Sequence, residues 1–265
     1  MTFLPETASL DCVQITPIPA FRDNYIWLLE RENHAVVVDP GDADPVLRAL
    51  AQGARKLDAI LLTHHHLDHV GGVAELVAVH APQVFGPANS PFAHIDVRLH
   101  DGDRLEVLGE QLRVLAVPGH TLDHIAYWCA AIHALFCGDT LFACGCGRLF
   151  EGSPSQMFAS LNKIAQLPED TYVYCAHEYT SANIRFALQV EPGNAQLVSR
   201  SQDCASARNR HEPTVPSTLR LEKATNPFLR CAQATVRETV LRHKPATADE
   251  TAAVFAALRS WKDAF

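Results

Sequence analysis

Thr63-His64-His65-His66-Leu67-Asp68-His69 is the stretch that decides how this chain is read. It stands at the end of residues 58–63, a largely apolar run that reads as a strand buried on both faces. In extended chain, alternate residues point the same way and lie about 7 Å apart along the strand. His64 and His66 can therefore converge on one cation as the chain begins to curl. Asp68 and His69 follow, where a turn leads into Gly71-Gly72 and a helix expected over residues 71–80, and they face a neighbouring point. A bare histidine triplet is compatible with a solvated polar turn. Two donors for one ion and two for a second, within six residues, favour a metal site.

Three further donors appear downstream, each directly behind an apolar run. His120 follows Val117-Pro118-Gly119, Asp139 follows Phe136-Cys137-Gly138, and His177 follows Tyr174-Cys175-Ala176. Singly, each reads equally as a hydrogen-bonded histidine or as an aspartate accepting turn N–H groups. Together they make up the number of ligands still missing, and strand ends gathered on one rim would bring them together. Strands are expected at residues 24–29, 34–39, 58–63, 83–85, 104–108, 112–117, 125–129, 135–137 and 172–175. Helices are expected at 44–52, 71–80 and 155–167. Two runs of strands with helices between some of them predict two sheets packed face to face and covered by helices. Beyond about residue 178 the pattern turns helical, at 180–189, 195–208 and 248–261. The turn-rich Glu212-Pro213-Thr214-Val215-Pro216-Ser217 lies between, and no strand is expected. The fold class is thus α+β. A larger domain is expected over residues 1–178, with 1–12 as an N-terminal extension, and a small all-helical domain over 179–265.

The 265 residues suffice for a large core, and a net charge of −8 speaks against a nucleic-acid partner, which calls for a basic surplus. No run approaches the roughly 20 apolar residues that cross a bilayer. The first basic residue is Arg22, so no secretory signal is read, and the expected location is the cytoplasm. The eight cysteines show no framework spacing and read as reduced thiols. Cys144-Gly145-Cys146 has a single residue between its thiols, closer than zinc pairs favour.

The set His64-x-His66-x-Asp68-His69, His120, Asp139 and His177 resembles the metallo-β-lactamase superfamily, whose fold is an αββα sandwich. That resemblance implies His64, His66 and His120 on one metal, Asp68, His69 and His177 on a second, and Asp139 bridging them. His65 would point away, and His124 is the remaining histidine closest to the site. Two divalent ions are implied, with zinc first and iron or manganese also accommodated. Such a pair brings the pKa of a bound water near neutrality and can stabilise a developing oxyanion, which is hydrolase chemistry.

Other segments narrow the family. Residues 16–27 (Thr16-Pro17-Ile18-Pro19-Ala20-Phe21 through Asp23-Asn24-Tyr25-Ile26-Trp27), Gly138-Asp139-Thr140-Leu141-Phe142, Gly145-Cys146-Gly147-Arg148 and His177-Glu178-Tyr179-Thr180 resemble glyoxalase II, the hydroxyacylglutathione hydrolases. So do Glu191-Pro192-Gly193-Asn194, residues 212–218 and Asn226-Pro227-Phe228-Leu229-Arg230 in the tail. The resemblance implies hydrolysis of S-D-lactoylglutathione to D-lactate and glutathione by a metal-bridging hydroxide, with no catalytic group apart from the ligands. It implies that Arg148, Tyr179, Arg259 and Lys262 bind the glutathione moiety. Arg259 and Lys262, three apart on a helix, share a face; read alone they are a solvated helix end. Phe150 stands where some members carry tyrosine, and Asp123 where glycine is common. A monomer is expected. The rival readings are a glutathione persulfide dioxygenase with one iron on the same fold and a non-catalytic metal-binding module. A nuclease or an exported β-lactamase fits the charge and the N-terminus less well.

Overall fold

The computed structural model describes residues 12–243 and 250–265. The expected N-terminal extension, apart from Cys12, lies outside the described residues, as do the first two positions of the helix expected over 248–261. The first sheet runs β1 (Gln14–Ala20), β2 (Asn24–Arg31), β3 (His34–Val38), β4 (Lys56–Leu61), β5 (Gln83–Pro87) and β6 (Val97–Leu99), side by side in chain order. The first three strands pair antiparallel and the last four parallel. Parallel neighbours need crossovers. Helix α1 (Ala43–Gln52) connects β3 to β4. The one-turn α2 (Leu67–Val70) and α3 (Val73–His80) connect β4 to β5. Two of these strands were not expected. β1 contains Pro17 and Pro19, which demote a strand pattern but are tolerated on an edge, and β1 is an edge. β6 is three residues long, too short to carry a period.

The chain then passes through β7 (Arg104–Val107), β8 (Glu110–Ala116), β9 (Ile125–Cys129) and β10 (Ala134–Gly138). A small hairpin of β11 (Leu141–Phe142) and β12 (Gly145–Cys146) follows, then α4 (Pro154–Ala165) and β13 (Tyr172–Cys175). The remainder is α5 (Thr180–Val190), α6 (Ala195–Asn209), β14 (Ser217–Thr218), α7 (Leu219–Thr225), a 3-10 turn at Pro227–Leu229, α8 (Ala234–His243) and α9 (Thr251–Ala264). The second sheet has the order β14-β13-β10-β9-β8-β7. The expectation of a tail without strands is corrected here: β14 extends this sheet, with Thr218 opposite Tyr172. Two residues are too few to leave a period-2 signature, and the prolines before them mask it. Helices α7 and α8 were likewise not expected. The architecture is the expected αββα sandwich with a helical C-terminal region.

Strand alternation divides the core. Trp27, Leu29, Val36, Val38 and Leu61 face the second sheet and pack with Val114, Tyr127 and Phe136. Ile26, Leu28, Val37 and Ile60 face the other way, beneath Val46, Leu50, Val73 and Leu76 of α1 and α3. Both faces of these strands are therefore dry, which is why they read as unbroken apolar runs. Phe186, Phe228, Phe255 and Leu258 of the helical tail join the core between the sheets and α4.

The two sheets are tied at one rim. The Trp27 indole donates to Cys175 O, Tyr25 N to Ala176 O, and Ile125 N to Thr63 O. Asn24 and His177 form an isolated antiparallel bridge. Gly138 has φ +46°, and a Cβ there would stand 2.3 Å from Thr63 Oγ1, so only glycine lets β10 end against the histidine loop. At Gly41 a Cβ would stand 1.9 Å from the Asp68 carbonyl oxygen, which closes α2 onto the loop after β3.

Candidate metal centre

The rim collects donors from five separate segments. β4 ends at Leu61 rather than continuing to Thr63, so His64 and His66 sit in the loop beyond it. His66 keeps an extended backbone and starts α2, whose single turn carries Asp68 and His69. His120 lies between β8 and β9, Asp139 just past β10, and His177 just past β13. Donor atoms of His64, His66 and His120 lie within 4.8 Å of one another, and so do those of Asp68, His69 and His177. Asp139 stands between the two groups. Its Oδ2 is 3.3 Å from His120 Nε2 and 3.3 Å from His177 Nε2, and its Oδ1 is 3.5 Å from His69 Nε2. All seven residues singled out as donors thus converge.

The rings are aimed from behind. His69 Nδ1 lies 3.0 Å from Asp39 Oδ2, and that same oxygen accepts from the Thr63 hydroxyl at 2.7 Å. With its proton given to Asp39, Thr63 Oγ1 accepts from His64 Nδ1 at 3.0 Å. Asp39 Oδ1 accepts from Thr63 N at 2.8 Å. His120 Nδ1 donates to Arg148 O at 2.7 Å, and His177 Nδ1 to Asp23 at 3.0 Å. In each case the hydrogen bond places the proton on Nδ1 and leaves the Nε2 lone pair for the cluster. Asn24 donates to Asp68 Oδ2 at 3.0 Å. His124 accepts from Asp139 N at 3.1 Å and stacks on His64 with centroids 4.6 Å apart.

Sequence reading missed Asp39, Asp23, Asn24 and Thr63 in these roles. The signal was present for two of them, since Asp23-Asn24 belong to the family-like opening segment. Asp39 was visible only as the last residue of an apolar strand.

Burial holds the His64 imidazole well below the usual histidine range, and neighbouring histidines add to the effect. Burial also opposes a charge on His69, but Asp139 and Asp39 outweigh it and raise its pKa to about 9, so a cation at Nε2 would have to displace a proton there. Burial works against ionised Asp139 as well, yet His177, His69 and His120 hold its carboxyl far below the carboxylate range. His64 Nε2, His69 Nε2 and Asp139 Oδ1 are buried with no hydrogen-bond partner. Each such orphan costs about 1–3 kcal/mol unless something satisfies it. Lone pairs and carboxylates packed this way fit a pair of divalent cations.

His65 turns out of the cluster. Its Nδ1 meets Asp123 Oδ1 at 2.9 Å and its Nε2 meets Glu151 Oε1 at 3.3 Å. Opposite ring nitrogens are engaged by different acids, which makes His65 a clamp between loops rather than part of a chelate. Asp123, a departure from the family pattern, thereby has a partner, and it also accepts from Thr121 at 2.7 Å.

A cleft of about 600 Å³ opens above the donors, lined by His66, His120, Asp139 and His177 below and by Arg148, Tyr179, Arg259 and Lys262 at the sides. Tyr179 stacks on His177 with an interplanar angle of 3°. Phe150 sets its ring edge-on to His66 and His120, at 5.5 and 5.3 Å. Lys262 rests over the Phe186 ring at 5.0 Å, and burial, with Arg259 beside it, lowers its pKa to about 8. Arg259 is the most committed of the four. It is 4% exposed and donates to Cys146 O at 3.0 Å and to Asp263 at 2.9 Å.

Comparison with known proteins agrees with this geometry. The family model described as "Metallo-beta-lactamase superfamily" matches residues 20–177, and "Hydroxyacylglutathione hydrolase C-terminus" matches residues 178–265. A protein of Alkalilimnicola ehrlichii named hydroxyacylglutathione hydrolase is 57% identical over 94% of this chain and 98% of its own. One of Albidiferax ferrireducens with the same name is 52% identical over 96% and 100%. Among solved structures, ETHE1 from Myxococcus xanthus superposes with a TM-score of 0.64 at 23% identity, over 96% of this chain and 99% of that one. TTHA1623, solved in a di-iron-bound form, gives 0.58 at 28% identity over 82% and 100%.

Proposed function

The chain belongs to the hydroxyacylglutathione hydrolase family within the metallo-β-lactamase superfamily, and from that premise we propose that it hydrolyses S-D-lactoylglutathione to D-lactate and glutathione, and related 2-hydroxyacylglutathiones to glutathione and the corresponding 2-hydroxy acids. The observation that carries the reading is two donor groups sharing Asp139 on the floor of a cleft whose walls hold Arg148, Arg259 and Lys262. In this reading His64, His66 and His120 would hold one cation and Asp68, His69 and His177 the other, with Asp139 available to both. The three orphaned buried atoms support it, because cations would satisfy them. Zinc is the first choice for a nitrogen-rich set with two carboxylates, with iron or manganese also accommodated. When bound, the two cations supply a water acidified toward neutral pH and polarisation of the thioester carbonyl.

The chain's own residues do the rest. Asp39, Thr63, Asp23 and the Arg148 carbonyl keep the imidazoles aimed and in the right tautomer. Arg148, Arg259 and Lys262 offer cationic donors to the carboxylates of the glutathione moiety, and Tyr179, stacked on His177, completes the binding wall. The leaving thiolate has a conjugate acid near pKa 8.5, so no strong general acid is required. Residues 1–178 act as the catalytic domain and residues 179–265 as the substrate-binding one. The proposed setting is the cytoplasm, a reading supported by eight free cysteines, seven of them buried, and the proposed state is a monomer. Among the described residues no helix is long and apolar enough to cross a membrane.

The match of residues 178–265 to the hydroxyacylglutathione hydrolase C-terminus favours this reading over a single-iron dioxygenase. The test is a thioesterase assay on several glutathione thioesters with metal quantified in parallel. Two equivalents of metal and turnover of S-D-lactoylglutathione without oxygen uptake are expected. One equivalent of iron with oxygen uptake, or metal uptake without turnover, would replace this reading with a rival.

A further inference from the structure

Asp263 occupies an unexpected place. Its Oδ1 is 2.9 Å from Arg259 Nη2 and 3.6 Å from Arg148 Nε, so one carboxylate oxygen sits between two of the cations that wall the cleft. The position is locally unfavourable. Asp263 lies in the last turn of α9, where the helix dipole disfavours negative charge. Its pairing with Arg259 runs acid after base at i,i+4, the weaker orientation of that pair. An acid that breaks local rules beside a binding cleft has a place that helix stability does not explain. The carboxylate is part-exposed, and the Arg148 side chain it faces is largely in solvent, so neither is locked in the core.

We propose that Asp263 is an internal counter-ion, holding in the free protein the place that the glycyl carboxylate of the glutathione moiety takes between Arg148 and Arg259. This rests on the glutathione-thioester reading and deepens it. Binding then becomes an exchange of one carboxylate for another. The cations are kept ordered in the absence of substrate, and neutral acyl compounds, which cannot displace Asp263, gain nothing from the cationic wall. The residue so sets both the affinity for anionic thioesters and the selectivity against neutral ones.

The test uses the full metal-loaded protein with Asp263→Asn, which keeps shape and relieves the dipole conflict, and Asp263→Ala as a second variant. KM for S-D-lactoylglutathione should fall about two- to fivefold, the range of a part-exposed ion pair, with kcat within twofold. KM for the analogue whose glycyl carboxylate is an amide should not change. Calorimetry with glutathione should show the same gain in affinity. A KM that rises or stays level for the natural substrate overturns the exchange, since Asp263 would then merely hold Arg259 in place. An equal fall for both substrates overturns it too. Failure of the underlying reading is recognised separately: the parent protein would neither turn over glutathione thioesters nor bind glutathione, and the counter-ion role would fall with it.

Discussion

Replacing Asp39 by asparagine tests whether a residue behind the two donor groups governs both halves of the centre. The Asp39 carboxylate takes three hydrogen bonds, from Thr63 N, the Thr63 hydroxyl and His69 Nδ1. Through the hydroxyl it aims His64 in one donor group, and directly it aims His69 in the other. An asparagine keeps one acceptor oxygen. If its NH2 group faces Thr63 N, two donors collide. If the NH2 faces His69, the ring must accept at Nδ1 and carry its proton on Nε2, the nitrogen that lies 3.5 Å from Asp139. Either outcome removes a lone pair or misdirects it. Partners behind metal ligands are worth about 10–100-fold in affinity. With one ligand affected in each group, a loss near the upper end is expected, about 100-fold or about 2.7 kcal/mol. The assay is metal retention against a graded chelator, read by elemental analysis, with turnover measured at saturating metal. The midpoint should move to about 100-fold lower chelator, and activity should recover only partly on adding metal. Retention of both equivalents at the parent's midpoint would refute the argument.

Asp139→Ala removes the group between the two donor sets; turnover should fall by about a thousandfold or more, and metal content should drop below two equivalents. Unchanged activity in that variant would overturn the donor assignment. Lys262→Ala should raise KM for S-D-lactoylglutathione about tenfold and lower kcat far less, because a binding contact made equally in ground and transition states is lost; steady-state kinetics decides it. Burial and Arg259 bring the Lys262 pKa down to about 8, so its cation is present below that pH and lost above it. KM for the anionic substrate should therefore climb as pH rises through about 8, and Lys262→Arg should flatten the climb. A profile identical in the two proteins would remove Lys262 from the binding wall.

The helix–strand order along residues 24–175 was legible because both faces of the central strands are dry, which leaves unbroken apolar runs between turn residues. What the local pattern hid were elements too short or too proline-rich to show a period: β1 with Pro17 and Pro19, the three residues of β6, and Ser217–Thr218 in β14. Their pairing is decided by a neighbouring strand rather than by their own composition.

At the centre, the density of donors in His64-x-His66-x-Asp68-His69 was enough to read a metal site, because ligand chemistry depends on residue type and close spacing. The tail segments were enough to point to the family. Asp39's service to His64 and His69, the clamp of His65 between Asp123 and Glu151, and the lodging of Asp263 between Arg148 and Arg259 were not readable. Apart from the i,i+4 pair of Arg259 and Asp263, each joins residues 24 to 115 positions apart, or turns on which of several nearby groups an oxygen faces. Hydrogen-bond direction and charge proximity are properties of packed neighbours, and only the closed sandwich brings those neighbours together.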